Sequence, residues 1–556
     1  MKNIYNIIRI FPLAAFIILI GQGCSKILDT KEDTGLTDEN IASSYSRLFD
    51  FGYAAYMRLP NGFNSLDGNL TAAVSDEAEY TQSPSETQMF NEGSWSAFNN
   101  PDNVYSYFYE GIRAANYFLE NSVDYKTILY RNRDTLSDNG NNYRRDVRSI
   151  AWLRAENRVL RAFYYFELAK RHGGVPLVTK VLNTSEETRI PRASADEVFN
   201  FIVSEIEAVK DSLQTDWGTF EASLHGRITL GMAIALKSRA LLYAASPLFN
   251  TENNIVKWEN AAAAANELLQ MNSYSLDGDY RNLFLADNTA KSPETIFAVR
   301  VGAGNTLEKA NYPITTPGGN TGVTPSHNLV SAYEYKGTPD PANPYAERDP
   351  RLHLSIVTNN STWNGRIIRM LPDSTDDYRI PQTSKTGYYL KKFLNDGLDL
   401  NNEEKKLRTW IIFRLGEIYL NYAEAMNEAY GPDDDHGYGL TARQAINIVR
   451  NRPNVEMPAI TALSKEQFRA KVKHERRIEL AFEDHRYWDL KRWMDAATTL
   501  SQPLLGVRPV YNNGITSYNV FEVEKRVFIA PKMYLYPIPQ SEVIKSNGVV
   551  VQNPGW

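Results

Sequence analysis

The stretch Glu156-Asn157-Arg158-Val159-Leu160-Arg161-Ala162-Phe163-Tyr164-Tyr165-Phe166-Glu167-Leu168-Ala169-Lys170-Arg171-His172-Gly173-Gly174-Val175-Pro176-Leu177-Val178 decides the fold. Val159, Leu160, Phe163, Phe166 and Leu168 recur at three- and four-residue spacing, which predicts a helix with an apolar stripe. Lys170 and Arg171 fall in its last turn, where positive charge complements the helix dipole. Gly173 and Gly174 end it, because glycine adopts the left-handed conformation past a helix C-terminus, and Pro176 cannot continue a helix. Tyr164 and Tyr165 widen the stripe beyond one face, so the helix is expected to pack on two sides, as inside a stack of helix pairs.

Working outward, Ile41, Tyr45, Leu48, Phe49, Gly52 and Tyr56 predict a helix over 39–57, closed by Pro60-Asn61-Gly62. Tyr105, Phe108, Ile112, Ala115 and Leu119 predict another. Ser194 followed by Glu197 reads as a capping box opening a helix over 196–213. Further helices are expected over 229–245, 258–269 and 442–452, with a short strand over 294–299. Between about 302 and 400 the helical period gives way to Gly, Pro, Asn and Thr set among aromatics. The run from Glu475 to Trp493 reads as one charged helix whose pairs, Lys471 with Glu475 and Asp489 with Arg492, suit ion pairing on a helix surface.

The motif Arg161-Ala162-Phe163-Tyr164-Tyr165-Phe166, with its close His172-Gly173-Gly174-Val175-Pro176-Leu177, resembles the hallmark of the SusD/RagB family of outer-membrane nutrient-binding lipoproteins. His172 stands where that family usually has Tyr. Gly226-Arg227-Ile228-Thr229, Arg348-Asp349-Pro350-Arg351-Leu352, Lys385-Thr386-Gly387-Tyr388-Tyr389, the segment from Arg414 to Ala425, the run from Glu475 to Trp493, and Gln552-Asn553-Pro554-Gly555-Trp556 match further family landmarks in the family's order. The resemblance implies a mainly α fold, a tetratricopeptide-like helix-pair superhelix with a loop-rich irregular insertion. On this reading residues 41–556 form a single SusD-like domain, with a helical body over 41–300 and 401–556 and a ligand-binding insertion over 301–400.

Lys2 and Arg9 precede an apolar run from Ile10 to Ile20, and Gly21 and Gly23 lead to Cys24, which reads as a secretory signal peptide over 1–23. Cys24 is the only cysteine, so no internal disulfide can form, and its place after Gly23 suggests a lipobox although Gly21 and Gln22 depart from the usual form. Lipidation at Cys24 would anchor the chain to a membrane, with the polar, acidic residues up to 40 as a tether. Loss of the leader removes Lys2 and Arg9 and moves the formal charge from -6 to -8. Such a balance gives no support to nucleic-acid binding, which calls for a clustered basic face.

Chemistry is sparse. The seven histidines are scattered, and no His-Glu-x-x-His run, nucleophile elbow or phosphate loop is present. No metal, no cofactor and no enzyme activity are expected; Asp277-Gly278-Asp279 reads as a turn rather than a calcium loop. The loops instead set aromatics among short polar residues. A sugar ring packs its C–H face on Trp or Tyr and needs Asp, Asn, Gln or Arg for its hydroxyls. Asp76, Tyr80, Trp95, Phe98 and Asn99 in one region, and Tyr312, His327, Trp363 and Asn364 in the insertion, supply both kinds and are the candidate glycan-binding residues. By resemblance, the protein sits lipid-anchored at the outer membrane facing the cell exterior, captures an oligosaccharide, and delivers it to a SusC-like TonB-dependent barrel. The alternatives are a peptide-binding RagB-like component and a surface glycan-degrading enzyme.

Overall fold

The computed structural model describes residues 44–183, 190–218, 224–286 and 288–556. The signal peptide, Cys24, the tether and the first residues of the 39–57 helix lie outside them. The described residues divide into two compact units, 44–51 with 121–150, and those of 52–120 with 151–556. In the first, Arg133 pairs with Asp146 at 2.7 Å and lies over the Tyr45 ring at 4.6 Å. The second is the larger.

Its helical part is built from α1 (Tyr105–Asn121), α2 (Asn141–His172, which begins in the first unit), α3 (Ala195–Glu207), α4 (Leu230–Ala245), α5 (Ile255–Gln270), α6 (Leu415–Tyr430), α7 (Ala442–Arg450), α8 (Lys465–Glu479) and α9 (Arg486–Arg492). The signature part of α2 is packed all round: Val159, Leu160, Phe163, Tyr164, Tyr165 and Phe166 are all buried, as two-sided packing requires, while the first turns of the helix are largely exposed. Gly111 of α1 lets that helix approach closely, since a Cβ there would meet the Tyr164 ring at 2.6 Å. Arg161 reaches across to α3, its Nε 3.0 Å from Glu205, and Ser194 with Glu197 forms the expected capping box. Helices α3, α4, α5, α6 and α7 then pack each on the next, with α8 also against α6. This is the tetratricopeptide-like stacking of helix pairs, each burying a face against its neighbour.

Among the described residues strands are few and every pairing is antiparallel. Thr295–Gly304 (β1) pairs with Lys406–Arg414 (β2), so one ribbon brackets the irregular segment between them. Ala78–Tyr80 pairs with Val323–Pro325, joining the two regions that hold the candidate glycan-binding residues. Leu504–Asn512 (β3) and Ile515–Glu524 (β4) form a hairpin closed by Asn513 and Gly514, both at positive φ (49° and 85°) as a two-residue Asn-Gly turn demands.

One expectation is corrected. The run from Glu475 to Trp493 is not one helix: α8 stops at Glu479 and α9 starts at Arg486, with Phe482 and Asp484 between them at positive φ (68° and 63°). Nor are its charges a surface device. Lys471 pairs with Glu334 instead of Glu475, and Glu475 is buried against Arg351 and Arg450 at 2.6 and 2.7 Å. Asp489 and Arg492 do pair at three-residue spacing, but both are buried. Glu479 accepts from Arg351, Arg414 and Arg452, each at 2.8 Å, and Glu483 accepts from Arg414 and Lys392. Past the end of α8, Glu483 faces Lys392 and Arg414, and on α9 Asp489 faces Arg476 and Arg492.

Candidate functional site

The nine candidate glycan-binding residues fall into three places. Trp95 is 2 % exposed, stacked on Phe90 at 4.8 Å and flanked by Tyr536 and Trp556 at 5.0 and 4.4 Å. Beside it Phe98 is 82 % exposed and Asn99 is exposed, its backbone N–H donating to the Ser96 carbonyl. In the insertion, Trp363 is buried, its Nε1 donating to Asp396 at 2.7 Å and its ring 5.1 Å from Tyr312. Tyr312 is wholly buried and its hydroxyl donates to the Asn395 carbonyl, while Asn364 accepts from the Gly397 N–H at 2.8 Å. The third place is the ribbon of 78–80 with 323–325 and its flanks, with Tyr80 at a strand end, Asp76 just before one strand and His327 just after the other.

Four of these expectations are corrected. The rings of Trp95, Trp363 and Tyr312 are covered by neighbouring side chains, so none presents a face on which a sugar could stack. Asp76 is buried between Arg477 and Arg486 at 2.7 and 2.8 Å. Burial raises its pKa, yet the two guanidiniums hold it well below the usual carboxylate range, so it serves as an internal counter-ion. His327 is half-buried, its Nδ1 2.8 Å from the Tyr388 hydroxyl, and burial lowers its pKa, which keeps the ring neutral. Tyr80 is half-buried at the end of its strand.

Around Tyr80 the structure gathers groups that suit a hydroxyl-rich ligand. Gln82 donates to the Asn320 carbonyl at 2.6 Å, and Gln382 donates to Gln82 at 3.3 Å. Lys385, from the same loop as Gln382, donates to the Tyr80 carbonyl at 3.1 Å. That loop also carries the half-buried Tyr378, and Arg508 of β3 lies over the Tyr378 ring at 5.4 Å and over Phe521 of β4 at 4.2 Å. Amide donors and acceptors, three half-buried rings and an exposed guanidinium are thus gathered around this loop, a composition matched to sugar hydroxyls and C–H faces. Sequence reasoning missed Tyr378, Gln382, Arg508 and Phe521. The hairpin was legible, since Asn513-Gly514 lies between alternating Val507, Pro509, Tyr511 and Thr516, Tyr518, Val520; its pairing with the 376–387 loop was not.

The same surface is tied to the body by an acidic cluster. Glu79 accepts from Arg526 at 2.9 Å, and Glu524, at the end of β4, is pushed up to about 8 by burial and by the neighbouring Glu79 carboxylate. A carboxyl held above its unfolded value near 4.3 binds its proton more tightly in the folded chain. Its contribution to stability is complete below the unfolded value, declines through the window between the two, and is gone once pH passes about 8. Glu77, also raised to about 8, adds a loss of the same sign. The decline in unfolding temperature from about pH 6 to about pH 9 is therefore expected to shrink in Glu524→Gln and to shrink further with Glu77→Gln added, measured by scanning calorimetry. An unchanged pH profile in both variants would show that neither carboxyl is protonated in the folded chain.

The two strongest sequence motifs also meet, lining a cleft of about 280 Å³ to which one brings Glu167, Lys170 and Arg171 and the other Glu483, Asp484 and His485, beside apolar Phe163, Phe166 and Trp410. Its charges cancel largely within the protein: Glu167 pairs with Lys170 at 2.8 Å and Arg171 at 2.7 Å, and Arg171 pairs with Asp102 at 3.0 Å. Among the described residues no cluster of His, Cys, Asp and Glu could hold a metal ion, and no helix is long and apolar enough to cross a membrane.

Comparison with known proteins agrees with this architecture. A family model described as "SusD family" matches residues 293–556, and one described as "Starch-binding associating with outer membrane" matches residues 26–242. A SusD-like protein of Formosa agariphila is 25% identical over 374 residues, covering 63% of this chain and 68% of the relative. Among solved structures, a SusD-like carbohydrate-binding protein of Bacteroides fragilis superposes with a TM-score of 0.75 at 25% identity, over 92% of this chain and 99% of that one. A second SusD-like protein of the same species gives 0.76 at 26% identity, over 94% and 99%. With the two family models in sequence along the chain and whole-length likeness to solved members, the chain belongs to the SusD/RagB family.

Proposed function

We propose that this protein is a cell-surface glycan-binding lipoprotein, held in the outer membrane through Cys24 and facing outward, which captures oligosaccharides and passes them to a SusC-like TonB-dependent transporter. It binds its ligand and does not transform it. The observation that carries this reading is the likeness, over 92% of the chain, to a solved SusD-like protein that binds carbohydrate. The surface around Tyr80, Gln82, Tyr378 and Gln382 supports it, being accessible and composed of rings and amides. A weak site with fast release suits handover to a transporter, because affinity differences reside mostly in the off-rate.

Titration calorimetry of the detergent-solubilised protein against neutral and acidic oligosaccharides and a peptide mixture tests the reading. Binding to an oligosaccharide is expected, with Tyr378→Ala weakening it roughly five- to tenfold, the worth of one aromatic contact. Binding to peptides alone would transfer the protein to the RagB-like reading, and breakdown of a bound oligosaccharide would overturn the binding-only assignment.

A further inference from the structure

The surface proposed for glycan capture carries charge that the protein leaves uncancelled. Most cations of the neighbouring loop have a carboxylate partner: Arg366 pairs with Asp376 at 2.5 Å, Arg379 with Asp377 and Asp373 at 2.5 and 2.6 Å, and Lys385 with Glu79 at 3.5 Å. Arg508 and Arg369 differ. Both are exposed, and among the described residues neither has a carboxylate within ion-pair distance.

Arg508 is also positioned, not loose. Strand alternation puts Gly506, Arg508 and Val510 on one face of the hairpin with Ser517, Asn519 and Phe521, while Tyr518 belongs to the other face, where it meets Tyr345 at 5.2 Å and Asn359. Glu522, the exposed carboxylate nearest in sequence on β4, falls on that other face too. The Arg508 guanidinium rests on Phe521 at 4.2 Å and Tyr378 at 5.4 Å, and Asn519 lies directly across the ladder. Resting on two rings fixes the side chain and lowers the entropy lost when its N–H edge binds a planar or tetrahedral oxyanion. Arg369 belongs to the same loop system, its carbonyl accepting from the Asp376 N–H at 2.9 Å, two residues before Tyr378.

We infer that the glycan captured at this surface is anionic, a uronate-bearing or sulfated oligosaccharide, and that Arg508, steadied by Tyr378 and Phe521, is the residue that recognises its carboxylate or sulfate. The inference rests on the glycan-binding reading above and narrows its substrate class. The whole protein is acidic, at a formal -6, so a locally uncancelled guanidinium is what allows it to select an acidic ligand against its own field.

The test is titration of the detergent-solubilised wild-type protein, Arg508→Gln and Arg379→Gln with an oligogalacturonate, a sulfated galactan oligosaccharide and neutral gluco- and xylo-oligosaccharides, at low and high salt. Wild type should bind one of the acidic probes more tightly than any neutral one, less tightly at high salt. Arg508→Gln should weaken that binding on the order of tenfold, the worth of a charge-assisted hydrogen bond, while Arg379→Gln leaves it unchanged. Which probe binds separates carboxylate from sulfate recognition. Neutral oligosaccharides bound as well as acidic ones, with no effect of Arg508→Gln, would overturn the inference and leave the glycan-binding reading intact. Binding of no oligosaccharide by wild type would overturn both.

Discussion

Trp95→Ala is expected to cost about 3–5 kcal/mol of stability, the usual penalty for truncating a large buried aromatic. Trp95 lies among Phe90, Tyr536 and Trp556 with ring centroids 4.8, 5.0 and 4.4 Å away. Its removal leaves a cavity lined by rings that are themselves fixed: Trp556 donates from Nε1 to the Lys532 and Leu535 carbonyls, and Tyr536 packs on Trp488. Such a cavity collapses poorly, which places the cost towards the upper end of the range. Phe98→Ala, three residues on and largely exposed, is expected to change stability by less than about 0.5 kcal/mol. Thermal and urea unfolding of the two variants side by side would measure this. If Trp95→Ala were as stable as wild type and lost only ligand affinity, Trp95 would be the sugar platform that its sequence context suggests and the packing described above would be wrong.

Glu479→Gln is expected to destabilise by a similar 3–5 kcal/mol through electrostatics. Arg351, Arg414 and Arg452 converge on Glu479, all four side chains are buried, and with Lys392 and Arg450 the network sets five buried cations against five buried carboxylates, Glu479, Glu294, Glu475, Glu483 and Asp349. Neutralising Glu479 leaves a surplus of buried positive charge with no water to screen it. Burial alone would raise the Glu479 carboxyl, but Arg452, Arg414 and Arg351 hold it well below its ordinary value. A depressed carboxyl contributes stability that is present above its unfolded value near 4.3 and is lost as pH falls through its folded one, so wild type should lose this contribution only in strong acid, while Glu479→Gln lacks it at every pH. Glu542→Gln, which breaks a pair with the largely exposed Lys545, should cost no more than about 1 kcal/mol. Chemical denaturation near neutral pH checks both. Equal stability of Glu479→Gln and wild type would mean that the network rearranges around the loss.

The sequence by itself determined the family and the helical scaffold. The three- and four-residue apolar spacing of 156–168, the Gly-Gly stop at 173–174, the capping box at Ser194 and the loss of periodicity after 302 are local, and local signals of this kind depend on residues a few positions apart. Short-range pattern also marked the regions containing Tyr80 and His327, since aromatics among polar residues distinguish a loop from a core helix. What it did not distinguish was an accessible aromatic from one packed beneath a loop, because Trp95 and Phe98 have similar neighbours in sequence and differ only in what folds over them.

The tertiary structure alone decided the rest. That Glu479 faces three arginines, and is not a surface residue of an ion-paired helix, depends on Arg351, Arg414 and Arg452 arriving from segments 27 to 128 residues away. That the candidate surface combines Tyr80, Gln382 and Arg508 depends on a strand pairing between 78–80 and 323–325 and on a hairpin laid beside the 376–387 loop. Both the burial of a charge and the assembly of a binding surface are fixed by long-range contacts, and a residue's chemistry in sequence does not specify which distant partner will take it out of water or leave it there.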